Sequence, residues 1–414
     1  MIEFVLERQL GNHPAVVKPS PVIPNRVDCA IIKLHSRRVT SLEFHPTKDN
    51  ILISGDKKGQ IGIWDFEKVY DKTVHGSIHS CIVNSIKFHP KNDGSIFTSG
   101  SDGNLCSTDL EIGLGQTLLD LNPNGWSSSA TWRMIYGMDV NGRRDLVLAG
   151  DNFGLLHQLD MRTNRRCGNP LLIHKKNTKA RIWDYRALDS NKELACLSHP
   201  RVVNSAYFSP VSGNKILSTC QDNRIRVWDC IFGDLQNPSR EIVHSHDFNR
   251  YLTCFRAEWD PKDHTECMSV IGRYISDDFD GVALHPIDFI DVSTGQLVAQ
   301  VVDHNLTTIS PVNKLHPTLD VLATGSSRSL FIWRPKDDLD GPEEQEKSRN
   351  NVSIYNVGES DEVKKRKKGK FNEDEQDDDD DDIFCRKKQE KNVKTAVVVK
   401  VGSSTNKKPN NPKK

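Results

Sequence analysis

The sequence predicts an all-β protein, a seven-bladed WD-repeat β-propeller, and three observations carry that reading. A β-run ending in a Trp-Asp pair recurs at Ile63-Trp64-Asp65, Ile182-Trp183-Asp184 and Val227-Trp228-Asp229. Worn copies stand at Thr108-Asp109, Leu159-Asp160, Ile290-Asp291 and Ile332-Trp333. Taking the Trp-equivalent positions as marks (64, 108, 159, 183, 228, 290 and 333), the steps are 44, 51, 24, 45, 62 and 43 residues. A period of about 40–45 residues with this signature is that of four-stranded propeller blades. Seven marks predict seven blades.

The elements follow in order. Residues 1–26 read as an irregular lead-in, since Pro14, Pro19, Pro21 and Pro24 forbid regular structure beyond a turn or two of helix at Met1–Leu10. Val27–Leu34 alternates apolar and polar residues and is predicted to close the ring as the outer strand of the last blade. Blade one is Val39–Phe44, Ile51–Ser54, a polar turn at Asp56–Gly59, and Ile61–Trp64. Blade two repeats it with Val83–Phe88, Ile96–Ser99, a turn at Ser101-Asp102-Gly103, and Leu105–Asp109. Blade three is Trp132–Asp139, Leu146–Ala149 and Leu155–Asp160; blade five is Val202–Phe208, Ile216–Thr219 and Ile225–Trp228. Blade six carries a long insertion, and blade seven is Val312–Leu315, Val321–Thr324 and Leu330–Trp333. The propeller is thus expected to span 27–336.

The 24-residue step breaks the pattern. Blade four should start after the outer strand around Pro170–His174, but Lys175–Lys179 runs straight into Ala180-Arg181-Ile182-Trp183-Asp184. Its two inner strands and the turn between them, about 20 residues of a blade, are absent. Blade four is therefore expected to be incomplete, with unpaired strand edges. So clean a deletion suggests a shortened, alternatively spliced version of a longer protein.

Composition sets further bounds. Lys plus Arg (56) equal Asp plus Glu (56), so net charge gives no sign of a nucleic-acid partner. The ten Cys form no CxxC pair and no zinc-spaced cluster, which predicts reduced thiols, no metal and no cofactor. No apolar run approaches the ~18 residues of a membrane span, and the N-terminus carries no signal-peptide pattern, which predicts a soluble intracellular protein. Residues 337–414 read as a disordered tail, low in aromatics and rich in charge. Within it Lys364, Lys365, Arg366, Lys367 and Lys368 form a nuclear-import signal, and Glu373–Asp382 is an acidic run suited to contacting histones or to screening a basic face.

In blades of this kind a His before the first strand, a Ser or Thr on the second, an Asp in the turn and the Trp often share hydrogen bonds. In blade five His199, Thr219, Asp222 and Trp228 are assigned to that network. The role is structural, because buried polar groups must be satisfied. No nucleophile elbow or paired carboxylates accompany it, so no catalytic residue is predicted and the chain is not read as an enzyme.

Particular stretches narrow the reading. Arg37-Arg38-Val39-Thr40-Ser41-Leu42, Gly150-Asp151-Asn152-Phe153-Gly154, Ile173-His174-Lys175-Lys176, Ser245–Thr253 and Ile271-Gly272-Arg273-Tyr274 make residues 35–336 resemble the small, propeller subunit of the heterodimeric UV-damaged-DNA-binding complex, in its plant form. The resemblance implies a complete fourth blade and a longer N-terminal region in the family, both shortened here. It implies docking on the large adaptor of cullin-RING ubiquitin ligases through a Trp-Asp-x-Arg box, matched by Trp183, Asp184, Tyr185 and Arg186. Asp160-Met161-Arg162 shows that such spacing also recurs by architecture.

The resemblance further implies binding of UV-damaged duplex DNA, with a short hairpin inserted at the lesion. The matching segment includes Phe248, Asn249, Arg250 and Tyr251, whose aromatics depart from the animal pattern. A lesion weakens stacking, so opening the duplex there costs a few kcal/mol at most. Arg38, Lys57, Lys58, Lys175, Lys176, Arg256 and Arg273 are the implied phosphate contacts, which position a protein without reading sequence. The expected function is damaged-DNA recognition and substrate presentation for nucleotide excision repair, in the nucleus. The alternative class is a generic WD-repeat scaffold, such as a histone-binding or ligase-adaptor protein without DNA activity. Binding to irradiated and undamaged duplex at fixed salt separates the two.

Overall fold

The structure is a computed structural model that describes residues 21–68, 70–174, 178–184, 186, 188, 192–233, 235–246, 253–275, 285–336 and 353–356. Six antiparallel sheets of four or more strands succeed one another along the chain. Blade one comprises Val39–Phe44, Ile51–Asp56, Ile61–Asp65 and Lys72–His75. Blade two comprises Val83–His89, Asn92–Gly100, Asn104–Asp109 and Gly115–Asp120. Blade three has Ile135–Asn141, Leu146–Asp151 and Leu155–Asp160, whose outer edge pairs with both Arg165–Arg166 and Leu171–Leu172.

Blade five comprises Val203–Phe208, Lys215–Cys220, Arg224–Asp229 and Arg240–Val243. Blade six comprises Glu258–Trp259, Met268–Gly272, Ile287–Asp291 and Gln296–Val301. Blade seven has Val312–Leu315, Leu322–Ser326 and Ser329–Arg334. Arg26–Ile32 then pairs antiparallel with Ser329–Arg334, so the N-terminal strand closes the last blade. Ser353–Asn356 adds a parallel strand outside it.

Seven marks do not give seven blades. Fourth place holds a two-stranded hairpin, Lys179–Ile182 paired with Ala195–Ser198. These are the two outer strands of a blade. Ala180 and Ile182 pack against the buried group of Leu197, Ile216 and Trp228, which ties the hairpin to blade five. The two inner strands that the short step leaves out have no counterpart among the described residues.

Glycines at the ends of the second strands record which blades have a neighbour. A Cβ on Gly55 of blade one would lie 2.7 Å from Val83 Cγ1 of blade two, and one on Gly325 of blade seven would lie 2.8 Å from Val39 Cγ1 of blade one. Only a residue without a side chain lets those blades close up. Gly150 holds the same place in blade three, and a Cβ there would meet only Gly137 O, at 3.9 Å. Among the described residues, no inner strand follows blade three to press on it.

The core is a series of blade-to-blade clusters. Trp64, Trp228 and Trp333, three of the Trp marks, are fully buried in them. Four inner strands carry a register shift at the same point, between Val39 and Ser41, Val83 and Ser85, Ile135 and Gly137, and Val203 and Ser205. Such bulges bend and twist a strand, and here they recur at one end of each sheet.

Gly55→Ala is expected to destabilise the fold by about 1–3 kcal/mol, the usual cost of overpacking. Gly150→Ala should leave the melting temperature unchanged. Equal losses in thermal melts of the two variants would mean that blade three has a covering neighbour.

Candidate nucleic-acid interface

Antiparallel pairing decides which residues share a face. The start of each first strand, the end of the second and the start of the third lie at one end of a sheet. Arg38 precedes the first strand of blade one, and Lys57 and Lys58 follow its second. Lys57 N–H donates to Arg38 O (3.0 Å), so the two loops are stitched together. Asp56 organises them further: its carboxylate accepts the N–H groups of Lys58 (2.9 Å), Gln60 (2.8 Å) and Arg37 (3.2 Å). Burial raises the Asp56 pKa, and these hydrogen bonds act against the rise. Lys58 is exposed, whereas Lys57 and Arg38 are half-buried.

Blade six contributes to the same face. Arg256 Nη1 reaches Asn84 O of blade two (3.5 Å), and Thr253 Oγ1 donates to Val39 O of blade one (3.4 Å). Arg273, after the second strand of blade six, forms an ion pair with the buried carboxylate of Asp288. Part of its charge therefore has an internal partner, which a spacing argument could not foresee. Lys175, Lys176, Phe248, Asn249, Arg250 and Tyr251 lie outside the described residues, as do Tyr185 and Met1–Leu10. The same holds for Lys364, Lys365, Arg366, Lys367 and Lys368 and for the acidic run Glu373–Asp382.

The sequence reading missed an aromatic group on this face. Trp126 and Trp132 pack with ring centroids 5.3 Å apart, and Trp132 Nε1 donates to Ser101 O (3.0 Å). Arg133 lies over the Phe153 ring, 5.2 Å from its centroid, while its Nη1 donates to Asp151 (2.8 Å). Trp126 and Phe153 are exposed. Two tryptophans and an arginine within eight residues of a loop (Trp126 to Arg133) were the available signal. His174, directly before Lys175, donates its N–H to Gly154 O (3.1 Å) beside the same turn.

The Trp183–Arg186 box lies at the opposite end of the sheets, after the third strand Lys179–Ile182. Asp184 accepts from Arg186 N (2.9 Å), Nε (3.1 Å) and Nη2 (3.0 Å), and the Arg186 side chain is 76% exposed. The side-chain hydrogen bond from Arg186 holds the Asp184 carboxyl below its ordinary pKa. Asp160 and Arg162 repeat the arrangement in blade three, with Arg162 N at 2.8 Å and Nη2 at 3.2 Å. The box geometry thus occurs twice.

The His, Ser or Thr and Asp combinations are buried and bond one another. His35 Nε2 meets Ser54 Oγ at 2.7 Å, and His79 meets Thr98 Oγ1 (2.9 Å) and Asp102 (3.1 Å). In blade five the assignment needs correction. His199 Nε2 (2.9 Å) and Trp228 Nε1 (3.0 Å) both bond Ser218 Oγ, one residue before Thr219. Thr219 Oγ1 instead receives Ala257 N–H (3.0 Å), and Asp222 is occupied by Arg226. Neighbouring residues of a strand point to opposite faces, so the hydroxyl that faces His199 is Ser218.

The architecture defines the class first. Sheets built on Trp-Asp-terminated strands, closed by an N-terminal strand, make a WD-repeat β-propeller, and the family model for the WD domain, G-beta repeat, matches residues 28–65 and 191–229. The chain is 54% identical over 376 residues to DNA damage-binding protein 2 of Oryza sativa subsp. japonica, covering 86% of this chain and 64% of that protein. It is 61% identical over 366 residues to Protein DAMAGED DNA-BINDING 2 of Arabidopsis thaliana, covering 83% of this chain and 66% of that one. Against DNA damage-binding protein 2 of Bos taurus it is 31% identical over 333 residues, 73% of each chain. The chain belongs to the DNA damage-binding protein 2 family. It spans just under two thirds of the length of the two plant relatives.

Burial pushes the pKa of His35 down to about 4, and burial beside His244 does the same to His246. Both are neutral in the folded chain, while an unfolded histidine takes up a proton near ~6.5. The unfolded state then binds more protons, so stability is full above that value and is lost as pH falls toward about 4. Melting temperature should be steady near neutral pH and drop across this window, and His35→Gln should make the drop shallower. An unchanged slope in that variant would assign the loss to other groups.

Proposed function

We propose that the chain is a damaged-DNA reader and substrate receptor. One propeller face holds duplex DNA at a lesion, and the other docks on the large adaptor of a cullin-RING ubiquitin ligase, within nucleotide excision repair in the nucleus. The observation that carries this reading is the sorting of groups onto two faces. Basic and aromatic side chains gather at one end of the sheets, and the Asp184–Arg186 box stands at the other. The names of the relatives, which speak of damaged-DNA binding, support the first half.

Each group has a physical task in this reading. Lys58, with Arg38, Lys57 and Arg256, supplies phosphate contacts that position the chain on any sequence. Trp126 and Phe153 offer ring faces for bases that a lesion has unstacked, a contact indifferent to sequence. The segment Phe248–Tyr251 is the proposed wedge that fills the opened duplex. Arg186, clamped flat by Asp184, presents its remaining N–H groups to an acceptor on the adaptor. The work is binding and presentation, with no chemistry assigned to the chain.

Three measurements test it. The wild-type chain should bind irradiated duplex more tightly than intact duplex at fixed salt, and equal affinities would leave the generic scaffold as the better reading. Lys57→Glu with Lys58→Glu should weaken both duplexes together and lower the slope of log affinity against log salt by about 0.9 per lost phosphate contact. An unchanged slope would remove the pair from the contact set. Arg186→Ala should cost adaptor association roughly 2 kcal/mol, as arginines at the centre of an interface often do. Undiminished co-purification would sink the docking assignment.

A further inference from the structure

His244 and His246 are buried between blades five and six, on the face that carries Arg273. Their Nδ1 atoms face each other at 3.1 Å. The ring centroids are 5.3 Å apart and the planes differ by 26°, so the rings approach through those nitrogens. A metal ion between them would need about 4 Å, at roughly 2.0 Å per bond, so the gap fits a proton.

The outer nitrogens settle where protons sit. His246 Nε2 lies 2.8 Å from Cys220 O, an oxygen that only accepts, so this nitrogen carries hydrogen. His244 Nε2 lies 3.1 Å from Asp288 Oδ2. Asp288 is paired with Arg273 and also accepts from Gln300 Nε2 (3.2 Å), so it is ionised and His244 Nε2 donates to it. With both Nε2 atoms protonated, two uncharged rings would press bare lone pairs together at 3.1 Å. One further proton removes the conflict. Of the two rings only His244 has a carboxylate, Asp288, at its outer nitrogen, whereas His246 meets the uncharged Cys220 carbonyl, which places that proton on His244.

We propose that His244 is an imidazolium in the folded chain and a positioning residue for the phosphate contact at Arg273. Two cations then share one carboxylate, and the cluster of Arg273, Asp288 and His244 keeps a net positive charge beside the DNA-facing surface. Without the His244 proton, Asp288 would neutralise Arg273 outright. Among the described residues, the other charged groups around the pair are Asp222 and Arg226 from blade five, with Glu241 on Arg226; these pair among themselves. The inference rests on the reading that this face binds DNA.

Nitrogen-15 shifts of the histidines in the full chain, near neutral pH, test the protonation without DNA. His244 should have both nitrogens protonated and His246 only Nε2; a bare nitrogen on His244 overturns the proposal. Affinity for intact and irradiated duplex should fall together as pH rises above neutrality. His244→Gln should lose that dependence and bind up to about tenfold more weakly at neutral pH, the scale of one charge-assisted hydrogen bond. An identical pH profile in His244→Gln and wild type would overturn the positioning role. A wild-type chain without preference for damage would overturn the function proposed above, while the nitrogen shifts and the pH profile would still decide this one.

Discussion

Neighbouring inner strands are linked by ion pairs between side chains at one shared position. At the same position of successive inner strands stand Glu43, Lys87 and Asp139 of blades one to three, and Tyr207, Glu258 and Lys314 of blades five to seven. Lys87 pairs with Glu43 (3.8 Å) and with Asp139 (4.0 Å), and Lys314 pairs with Glu43 (3.6 Å) and with Glu258 (3.3 Å). Burial pulls the Lys314 pKa down, but Glu258 and Glu43 outweigh it and hold the ammonium above its ordinary range. Burial, with Glu258 beside it, pushes the Tyr207 hydroxyl up to about 12. Each link joins two blades that share no hydrogen-bonded strands, so the pairs fix how blades meet while the apolar clusters supply the burial.

The chain of charges stops where blade four should stand. Asp139 ends it and is 77% exposed, with Lys87 its one ion-pair partner among the described residues. Across the break, Phe208 of blade five is 56% exposed, although its counterparts Phe44, Trp259 and Leu315 are buried. The Lys179–Ile182 hairpin covers Trp228 on the outer side and leaves the inner side uncovered. Missing inner strands therefore cost both polar register and apolar cover, whereas the outer strands survive because they pack on a neighbour's Trp.

Much of this was legible in sequence because it repeats. The Trp-Asp marks, the alternating strands and the short step located six sheets, a remnant and the closing N-terminal strand. What repetition hid was the identity of partners. Ser218 and Thr219 are adjacent hydroxyls, and only the facing of the strand chooses Ser218 for His199. Arg273 and Asp288 are joined across a strand pair, as are Arg133 and Asp151, so no spacing rule finds them. Trp126 and Phe153 belong to different loops, and only the fold brings Trp126 onto Trp132 and Phe153 under the adjacent Arg133. The count of seven failed for a simpler reason: a mark records a third strand, and a third strand can persist without its blade.

The two faces depend on the ring to different degrees. The Asp184–Arg186 clamp closes within three residues, and Asp160–Arg162 forms the same clamp in a complete blade with matching distances. A motif built from local hydrogen bonds keeps its geometry even where the inner strands behind it are gone. The other face is assembled from long-range contacts: Arg256 reaches blade two, Thr253 reaches blade one, and the loops of Arg38 and Lys57 hold each other. Those contacts exist only while the blades keep their order around the channel. Loss of inner strands therefore bears on the face of Arg38, Lys57 and Arg256 through the ring, and on the Asp184–Arg186 clamp hardly at all.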